Sequence, residues 1–437
     1  MGVRVRFAPS PTGQVHIGNI RAAIFNWLFA RHEGGQFLLR IEDTDRERST
    51  PEAVKTVLDA MGWLGLGYDE EPLYQSTRLN AHLDAANMLL KNGNAYKDDK
   101  GGLGKGECIL FRMPQSDASF HDEVKGSLRK EAKDLKDFVI VRSDGSPVFH
   151  LANVVDDIEM KITHIIRGDD HVENTYRHVA LFKALGVEPP KYAHLPMIVN
   201  QQGKPYSKRD GAAFVGDFRE KGYLPQALFN YLTLLGWSPG DDREKMTREE
   251  LVSLFTLDRV KSAPAQMDIK KLTHLNAQYI AELPKDDFVK LAKSAAERFE
   301  WGQKCNDDDF RKVCDLMQIR THTFSSIEEW KYFFADDQAY DEKAVAKLLK
   351  KDGVGKVLAL LADRLATADF SVGTIEKMIR SVETENGIPE CKLNQPVRVA
   401  VTGTSVGASV YDTMALLGKD RVLARLKFAI QNLCSVS

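Results

Sequence analysis

Cysteine, long apolar runs and net charge are what this chain has least of. Its five cysteines (Cys108, Cys305, Cys314, Cys391, Cys434) are scattered, with no CxxC pair, so neither a disulfide framework nor a zinc site is expected. No apolar run could span a bilayer and no cleavable signal is evident. The cytoplasm is therefore the expected compartment, with no membrane partner. Internal repeats and low-complexity segments are lacking too. The formal net charge of −2 argues against a protein that coats nucleic acid non-specifically, yet leaves room for local basic patches. What remains is an ordinary globular composition, 43% hydrophobic and 28% charged. At 437 residues the chain is too long for one core and should hold about three domains.

The most informative stretch runs from Arg6 to Gly18, Arg-Phe-Ala-Pro-Ser-Pro-Thr-Gly-Gln-Val-His-Ile-Gly. Val3 to Phe7 alternates apolar and basic residues, as a strand does. Pro9, Pro11 and Gly13 then force a turn. From Asn19 onward Ile20, Ala23, Ile24, Trp27 and Leu28 recur at helical spacing. A loop that delivers backbone N–H groups at a helix start is a natural anion site. His16 sits there, and Gly18 leaves room for a ligand against the backbone. A lone His-x-Gly would describe no more than a capped helix with a surface histidine.

The whole stretch resembles the HIGH element of class I aminoacyl-tRNA synthetases, and its Arg6–Ser10 prefix resembles the glutamyl and glutaminyl branch. Gln36 to Ile41 reads as a second buried strand, completing a right-handed βαβ unit, with ligands expected at the strands' carboxyl ends near Ser10 and Glu42. The carboxylates of Glu42–Asp45 suit either a Mg²⁺ cluster or solvated loop charges. The match of Arg40–Asp45 to the glutamyl pattern implies substrate contact for Glu42 and leaves Asp43 and Asp45 structural. Phe149–Asp157 and Thr163–Asp170 resemble segments lining the amino-acid pocket, which implies that Phe149, Asn153 and Arg167 face the substrate. Phe149 stands where many relatives carry Tyr.

Gly203–Gly211, with Ser207-Lys208-Arg209, resembles the second class I element, the KMSKS loop in its glutamyl form. The family usually has Lys two residues before that serine; this chain has Pro205. His194 to Val199 reads as the strand leading into the loop. Gly101–Gly106 resembles a phosphate loop only superficially and reads as a plain loop. Lys125, Arg129, Lys130, Lys133 and Lys136 form a basic run suited either to phosphates or to a solvated helix face. Cys108 stands alone where some relatives carry a zinc site.

The resemblance implies an α/β fold: a Rossmann-type parallel-sheet catalytic domain with an inserted acceptor-binding α/β segment, followed by an all-helical C-terminal anticodon-binding region. The expected boundaries are 1–92 and 148–212 for the catalytic halves, 93–147 for a shortened insertion, 213–281 for a helical stem-contact domain and 282–437 for the anticodon region. The implied activity is ATP-dependent activation of L-glutamate to glutamyl-adenylate and its transfer to tRNA(Glu), by a monomer. ATP would meet Ser10, Thr12, Gly13, His16, Gly18, Asn19, Ser207, Lys208 and Arg209, with Mg²⁺ arriving on the nucleotide and no metal site on the protein. His16, Gly18 and Lys208 would act in catalysis. Arg6, Ala8, Ser10, Glu42, Phe149, Asn153 and Arg167 would hold glutamate, the arginines being the cations for its side-chain carboxylate.

Two alternatives stay open: an enzyme that also charges tRNA(Gln), and a non-catalytic tRNA-binding paralogue (favoured by Pro205 and the short insertion). A small-molecule nucleotidyltransferase fails on the chain's length and helical C-terminus. The glutaminyl branch fits poorly as well, its anticodon region being β-barrel in character. No Ser/His/Asp or Cys/His arrangement competes.

Overall fold

The computed structural model describes residues 2–45, 48–99, 106–337 and 339–435, which leaves Lys100–Lys105 of the glycine-rich loop outside the described residues. The chain divides into two compact units, residues 1–220 with 225–275 and residues 221–224 with 276–437.

The first unit opens with β1 (Arg4–Phe7), α1 (Ile17–His32) and β2 (Gln36–Ile41), the two strands parallel and in register from Arg4↔Gln36 to Phe7↔Leu39. Thr50 caps α2 (Pro51–Trp63) by accepting from the Ala53 N–H, with Pro51 in the first turn where its missing N–H costs nothing. β3 (Leu73–Tyr74) joins parallel to β2, and α3 (Leu79–Lys91) follows. α1 is more enclosed than its apolar stripe implies: Arg21, Phe25, Asn26 and Phe29 are buried as well as Ile20, Ala23, Ile24 and Leu28. The cause is packing on a second side, where Phe25 meets Phe255 and Trp27 meets Phe229 edge-on at 5.2 and 5.9 Å.

The segment after Gly93 is far more regular than its polarity suggests. β4 (Ala95–Asp98), β5 (Cys108–Phe111) and β8 (Phe138–Val141) form an antiparallel sheet, and β6 (Ala118–Asp122) with β7 (Gly126–Lys130) forms a hairpin. The basic run is not an α-helix face: it lies on β7 and its flanking turns, and four of its five members have carboxylate partners. Lys125 pairs with Asp169, Arg129 with Asp117, Lys130 with Glu173 and Lys133 with Glu131.

Beyond it lie α4 (Phe149–Glu159), β9 (His164–Gly168), α5 (Val172–Ala184) and β10 (Lys191–Leu195). β9 and β6 flank β10 in parallel, giving the order β7-β6-β10-β9. Thr163 stitches the start of β9 to β1 through bonds in both directions with the Arg4 backbone. Fully buried Leu89, Ile140, Leu151 and Leu181 share one core with Phe111 and Tyr192. Each such side chain contributes roughly 1.5–3 kcal/mol by leaving water.

The single strand expected over His194–Val199 is instead two. Pro196 interrupts it, and β11 (Ile198–Val199) pairs with β12 (Ala265–Gln266) in a separate two-stranded sheet. α6 (Val215–Glu220), α7 (Pro225–Leu234) and α8 (Arg248–Leu254) complete this unit, α7 being almost wholly buried and ending before Gly236 at φ 104°. The boundary between the units falls within α9 (Ile269–Ala281).

The second unit is helical in its described residues. Its longer helices are α10 (Lys285–Ala296), α12 (Asp307–Met317), α15 (Val354–Thr367), α16 (Val372–Glu385) and α19 (Lys419–Asn432), joined by the shorter α11 (Glu300–Lys304), α13 (Lys331–Phe334), α14 (Glu342–Leu348), α17 (Asn394–Thr402) and α18 (Val410–Leu417). Asn306, Asp341, Ser371 and Ser409 each cap a helix start with a side-chain oxygen, as short polar residues at those positions do.

Candidate active site

A cleft of about 630 Å³ opens in the first unit at the carboxyl ends of β1, β2 and β9. Ser10, Thr12, His16, Gly18 and Asn19 line one side of it. His16 caps α1: its Nδ1 accepts the Gly18 N–H at 3.0 Å, and its Nε2 lies 3.1 Å from the Tyr206 carbonyl. An acceptor at Nδ1 and a carbonyl facing Nε2 together assign the neutral tautomer with the proton on Nε2. Burial holds the ring below its ordinary pKa. Gly18 has a closer reason for its identity than room for a ligand, because an added Cβ would sit 3.2 Å from His16 Nδ1. Gly13, at φ 132°, makes the exposed turn and does not line the cleft.

The His16–Tyr206 contact joins the first motif to the second. Pro205 fits its place there: Asn200 N–H bonds to Lys204 O and Tyr206 N–H to Ile198 O, so this small hairpin asks for no N–H at position 205. Ser207 N–H and Oγ both bond to Asp210 Oδ2, closing a tight turn. Ser207, Lys208 and Arg209 lie on this turn just outside the cleft lining, with Lys208 and Arg209 exposed.

The opposite side of the cleft is built from charge. Arg6 Nε and Nη2 grip the Asp157 carboxylate at 2.9 and 3.2 Å, and Arg40 Nη1 meets the same carboxylate at 2.5 Å. Arg40 Nη2 reaches Glu42 Oε1 at 3.2 Å, and Asn153 Nδ2 donates to that oxygen at 2.7 Å. All these groups are buried. Burial raises the Glu42 pKa against the opposing pull of Arg40. It would raise that of Asp157 too, but Arg40 and Arg6 hold it below the usual range. Asn153 Oδ1 is buried without a hydrogen-bond partner among the described residues, an acceptor at the edge of a polar pocket that a ligand donor would satisfy.

Arg167 differs from its neighbours. Its bonds go to Thr175 Oγ1 (2.7 Å), His194 Nε2 (3.3 Å), His178 Nδ1 (3.4 Å) and the His171 carbonyl (3.4 Å), all uncharged acceptors. Among the described residues no carboxylate forms an ion pair with it, although it is only 8% exposed. Burial lowers its pKa to about 10. Phe149 stands beside it in the lining, its ring 5.8 Å from that of His171 and 5.6 Å from that of His178. Across Arg6, Arg40, Arg167, Glu42 and Asp157 the buried charges leave one cation in excess.

The structure therefore brings Arg6, Ala8, Ser10, Glu42, Phe149, Asn153 and Arg167 into one lining with Thr12, His16, Gly18 and Asn19. It leaves Gly13, Ser207, Lys208 and Arg209 outside it. Missed in the sequence were Asp157, Thr175, His178 and His194. Asp157 had a signal: it follows Asn153 by four residues on α4, hence on the same helix face. Asp43 is structural, accepting from Ser76 N–H and Oγ, and Asp45 pairs with Arg48. Among the described residues no group of three or more His, Cys, Asp or Glu is placed to hold a metal ion.

Comparison with known proteins bears directly on this cleft. The model of the class I tRNA synthetase (E and Q) catalytic domain matches residues 2–102 and 100–274, and that of an anticodon binding domain matches 287–430. A curated relative named Glutamate--tRNA ligase 1, from Granulibacter bethesdensis, is 40% identical, covering 98% of this chain and 97% of its own length. The Glutamate--tRNA ligase of Legionella pneumophila (strain Corby) is 40% identical across 99% of this chain and 98% of its own. In three dimensions the chain resembles the glutamate tRNA ligase of Elizabethkingia meningosepticum solved in complex with its amino acid. The TM-score is 0.85 at 30% identity, covering 99% of this chain and all of that one. With a full-length likeness in both sequence and fold, the chain belongs to the glutamate–tRNA ligase family of class I tRNA synthetases.

Proposed function

We propose that this chain is a glutamate–tRNA ligase: it condenses L-glutamate with ATP to glutamyl-adenylate, releasing pyrophosphate, and passes the glutamyl group to tRNA(Glu). The observation that carries the reading is Arg167, a buried guanidinium held only by uncharged acceptors in the wall of the cleft. Such a cation is stable in place and lacks only an anion. Zwitterionic glutamate carries one net negative charge, which balances the excess cation. Its side-chain carboxylate would go to Arg167, with Arg6 at hand through Nη1, which Asp157 does not engage. Its ammonium would go to Glu42 and to the orphaned Asn153 Oδ1.

Activation requires no general base, because the attacking carboxylate is already ionised. It attacks the α-phosphorus, pyrophosphate leaves, and charge builds on phosphate oxygens. Catalysis is then positioning and charge stabilisation. His16 Nε2–H, turned toward the Tyr206 carbonyl, is a donor that a phosphate oxygen would take over. The first-turn N–H groups of α1 are taken by His16 and Ala213, so at Gly18 and Asn19 it is the positive end of the helix dipole that favours an anion. Lys208, one residue beyond Ser207, would bring its ammonium to the same phosphates. Mg²⁺ would travel on the nucleotide, as it does where it keeps most of its water. Residues 93–147 would take the acceptor end of the tRNA and residues 282–437 its anticodon, the enzyme working as a cytoplasmic monomer.

The test is ATP–pyrophosphate exchange with glutamate, with and without total bacterial tRNA, with glutamine as control. Exchange that requires glutamate supports the reading. No exchange under any condition would overturn it in favour of a tRNA-binding paralogue. Arg167→Gln should lower kcat/KM for glutamate roughly 30- to 4,000-fold, the 2–5 kcal/mol typical of truncating one partner of a buried charge pair.

A further inference from the structure

Arg6 and Arg40 are held by a carboxylate directly, whereas Arg167 is held by one at a remove. Behind it stands His194, fully buried, whose Nε2 lies 3.3 Å from Arg167 Nε and whose Nδ1 lies 2.5 Å from Asp122 Oδ2. Asp122 ends β6, also fully buried, and accepts the backbone N–H groups of Val124 (3.0 Å), Lys125 (2.9 Å) and His194 (3.1 Å). A carboxylate so surrounded stays ionised and demands a proton on the imidazole nitrogen facing it. His194 is thereby the Nδ1–H tautomer, with a lone pair on Nε2 aimed at the guanidinium. Thr175 completes the bracket: its Oγ1 meets Arg167 Nη2 at 2.7 Å and His194 Nε2 at 3.0 Å.

We infer that Asp122 and His194 form a positioning dyad that fixes the plane of Arg167 without neutralising it, and so sets the preference for a carboxylate over its amide. The inference rests on the reading of Arg167 as receptor for the substrate's side-chain carboxylate. A carboxylate placed directly on Arg167 would turn it into another internal ion pair like Arg6–Asp157, leaving nothing for a ligand. A neutral acceptor alone would leave its own tautomer open. The imidazole between them transmits orientation and keeps the negative charge one ring away. Neither residue touches the substrate in this reading. Both act through Arg167.

Two substitutions separate the halves of the dyad. His194→Gln carries an acceptor at the position of Nε2 and gives up the bond to Asp122. His194→Asn keeps a donor for Asp122 and leaves Arg167 Nε without an acceptor. In glutamate-dependent ATP–pyrophosphate exchange, His194→Asn should raise KM for glutamate about ten- to hundredfold, the range for a hydrogen bond to a charged group. Its preference for glutamate over glutamine should fall in step, with KM for ATP unchanged and His194→Gln, which keeps the acceptor but loses the hold of Asp122, falling between His194→Asn and the parent chain. Equal effects of Gln and Asn, or none from either, overturn the dyad. Arg167→Gln run alongside tells the failures apart. If it leaves KM for glutamate unchanged, the underlying reading fails. If it raises KM while both His194 variants behave like the parent, the dyad alone fails. Histidine-¹⁵N NMR of the unaltered protein needs no variant to fold: a neutral His194 protonated at Nδ1 is expected, and a proton on Nε2 overturns the inference.

Discussion

The two units handle charge in opposite ways. The first buries it: Arg6, Arg21, Arg40, Arg167, Glu42, Asp122, Asp156 and Asp157 are all at most 9% exposed. The second keeps charge at the surface, with Glu383 and Arg425 the buried charged groups among its described residues. Of the 11 histidines only His322 falls in the second unit. Its large groove, about 1780 Å³, is walled by stacked rings instead, Trp301 lying parallel to Phe299 at 5.9 Å and to Phe334 at 5.2 Å. Exposed Lys304 and Lys312 and half-buried Arg421 lie along that groove. Buried charge is set during folding and holds a small ligand to one geometry. Surface charge over flat aromatic faces tolerates variety, as contact with a long polyanion requires.

The contrast breaks most visibly at Asp157, which holds two buried guanidinium groups. Asp157→Asn leaves Arg6 and Arg40 competing for what remains. The expected loss is about 3–5 kcal/mol, the penalty for uncompensated buried charge, confined to the first unit. Urea denaturation read by a deuterium pulse and fragment mass spectrometry resolves the two units. Equal loss of protection in residues 276–437 would show that charge burial in the first unit supports both.

Acid should separate the units next. Burial, with Arg177 and Arg167 adding to it, lowers the His150 pKa to about 4, and burial with Arg167 lowers that of His178 well below its ordinary value. Their nitrogens meet at 3.1 Å. Between about pH 6.5 and 4 the unfolded chain protonates both rings while the folded chain does not. Stability of the first unit therefore falls as pH falls, by up to roughly 1.4 kcal/mol per pH unit for each histidine. The second unit has no such pair. Labelling the denatured fractions at pH 7.0 and 5.5 with a pulse at one common pH should move the first unit's midpoint alone, and parallel shifts would count against this assignment.

The sequence made the chemistry more legible than the architecture that supports it. The Arg6–Gly18 and Gly203–Gly211 stretches are contiguous, and local turn and helix rules locate them. That Tyr206 O would meet His16 Nε2 is a contact across 190 positions, which no local rule encodes. The hairpin of β6 and β7 was hidden because its residues are mostly polar and its alternation serves ion pairs, not a core. Asp122 was invisible for the same reason: its partner His194 lies 72 residues away, and neither belongs to a motif. The helical character of the second unit was expected from the resemblance, and the structure rests it on local features, 3.6-residue periodicity with Asn306, Asp341, Ser371 and Ser409 at the caps.

The smallest effect tests the other half of the comparison. Lys304 lies in the groove of the second unit, 71% exposed, with Glu300 one helical turn away as its partner. An exposed pair of this kind contributes little to folding, because water and salt already screen it. Lys304→Ala should therefore leave the urea midpoints of both units, and glutamate activation, within measurement error. If the groove meets tRNA phosphates, the substitution should weaken tRNA binding a few-fold and reduce the slope of log K against log salt by about one. A drop in affinity with an unchanged slope would mean that Lys304 acts through the stacked rings and not on phosphate. The second unit would then share with the first a use of charge for shape as well as attraction.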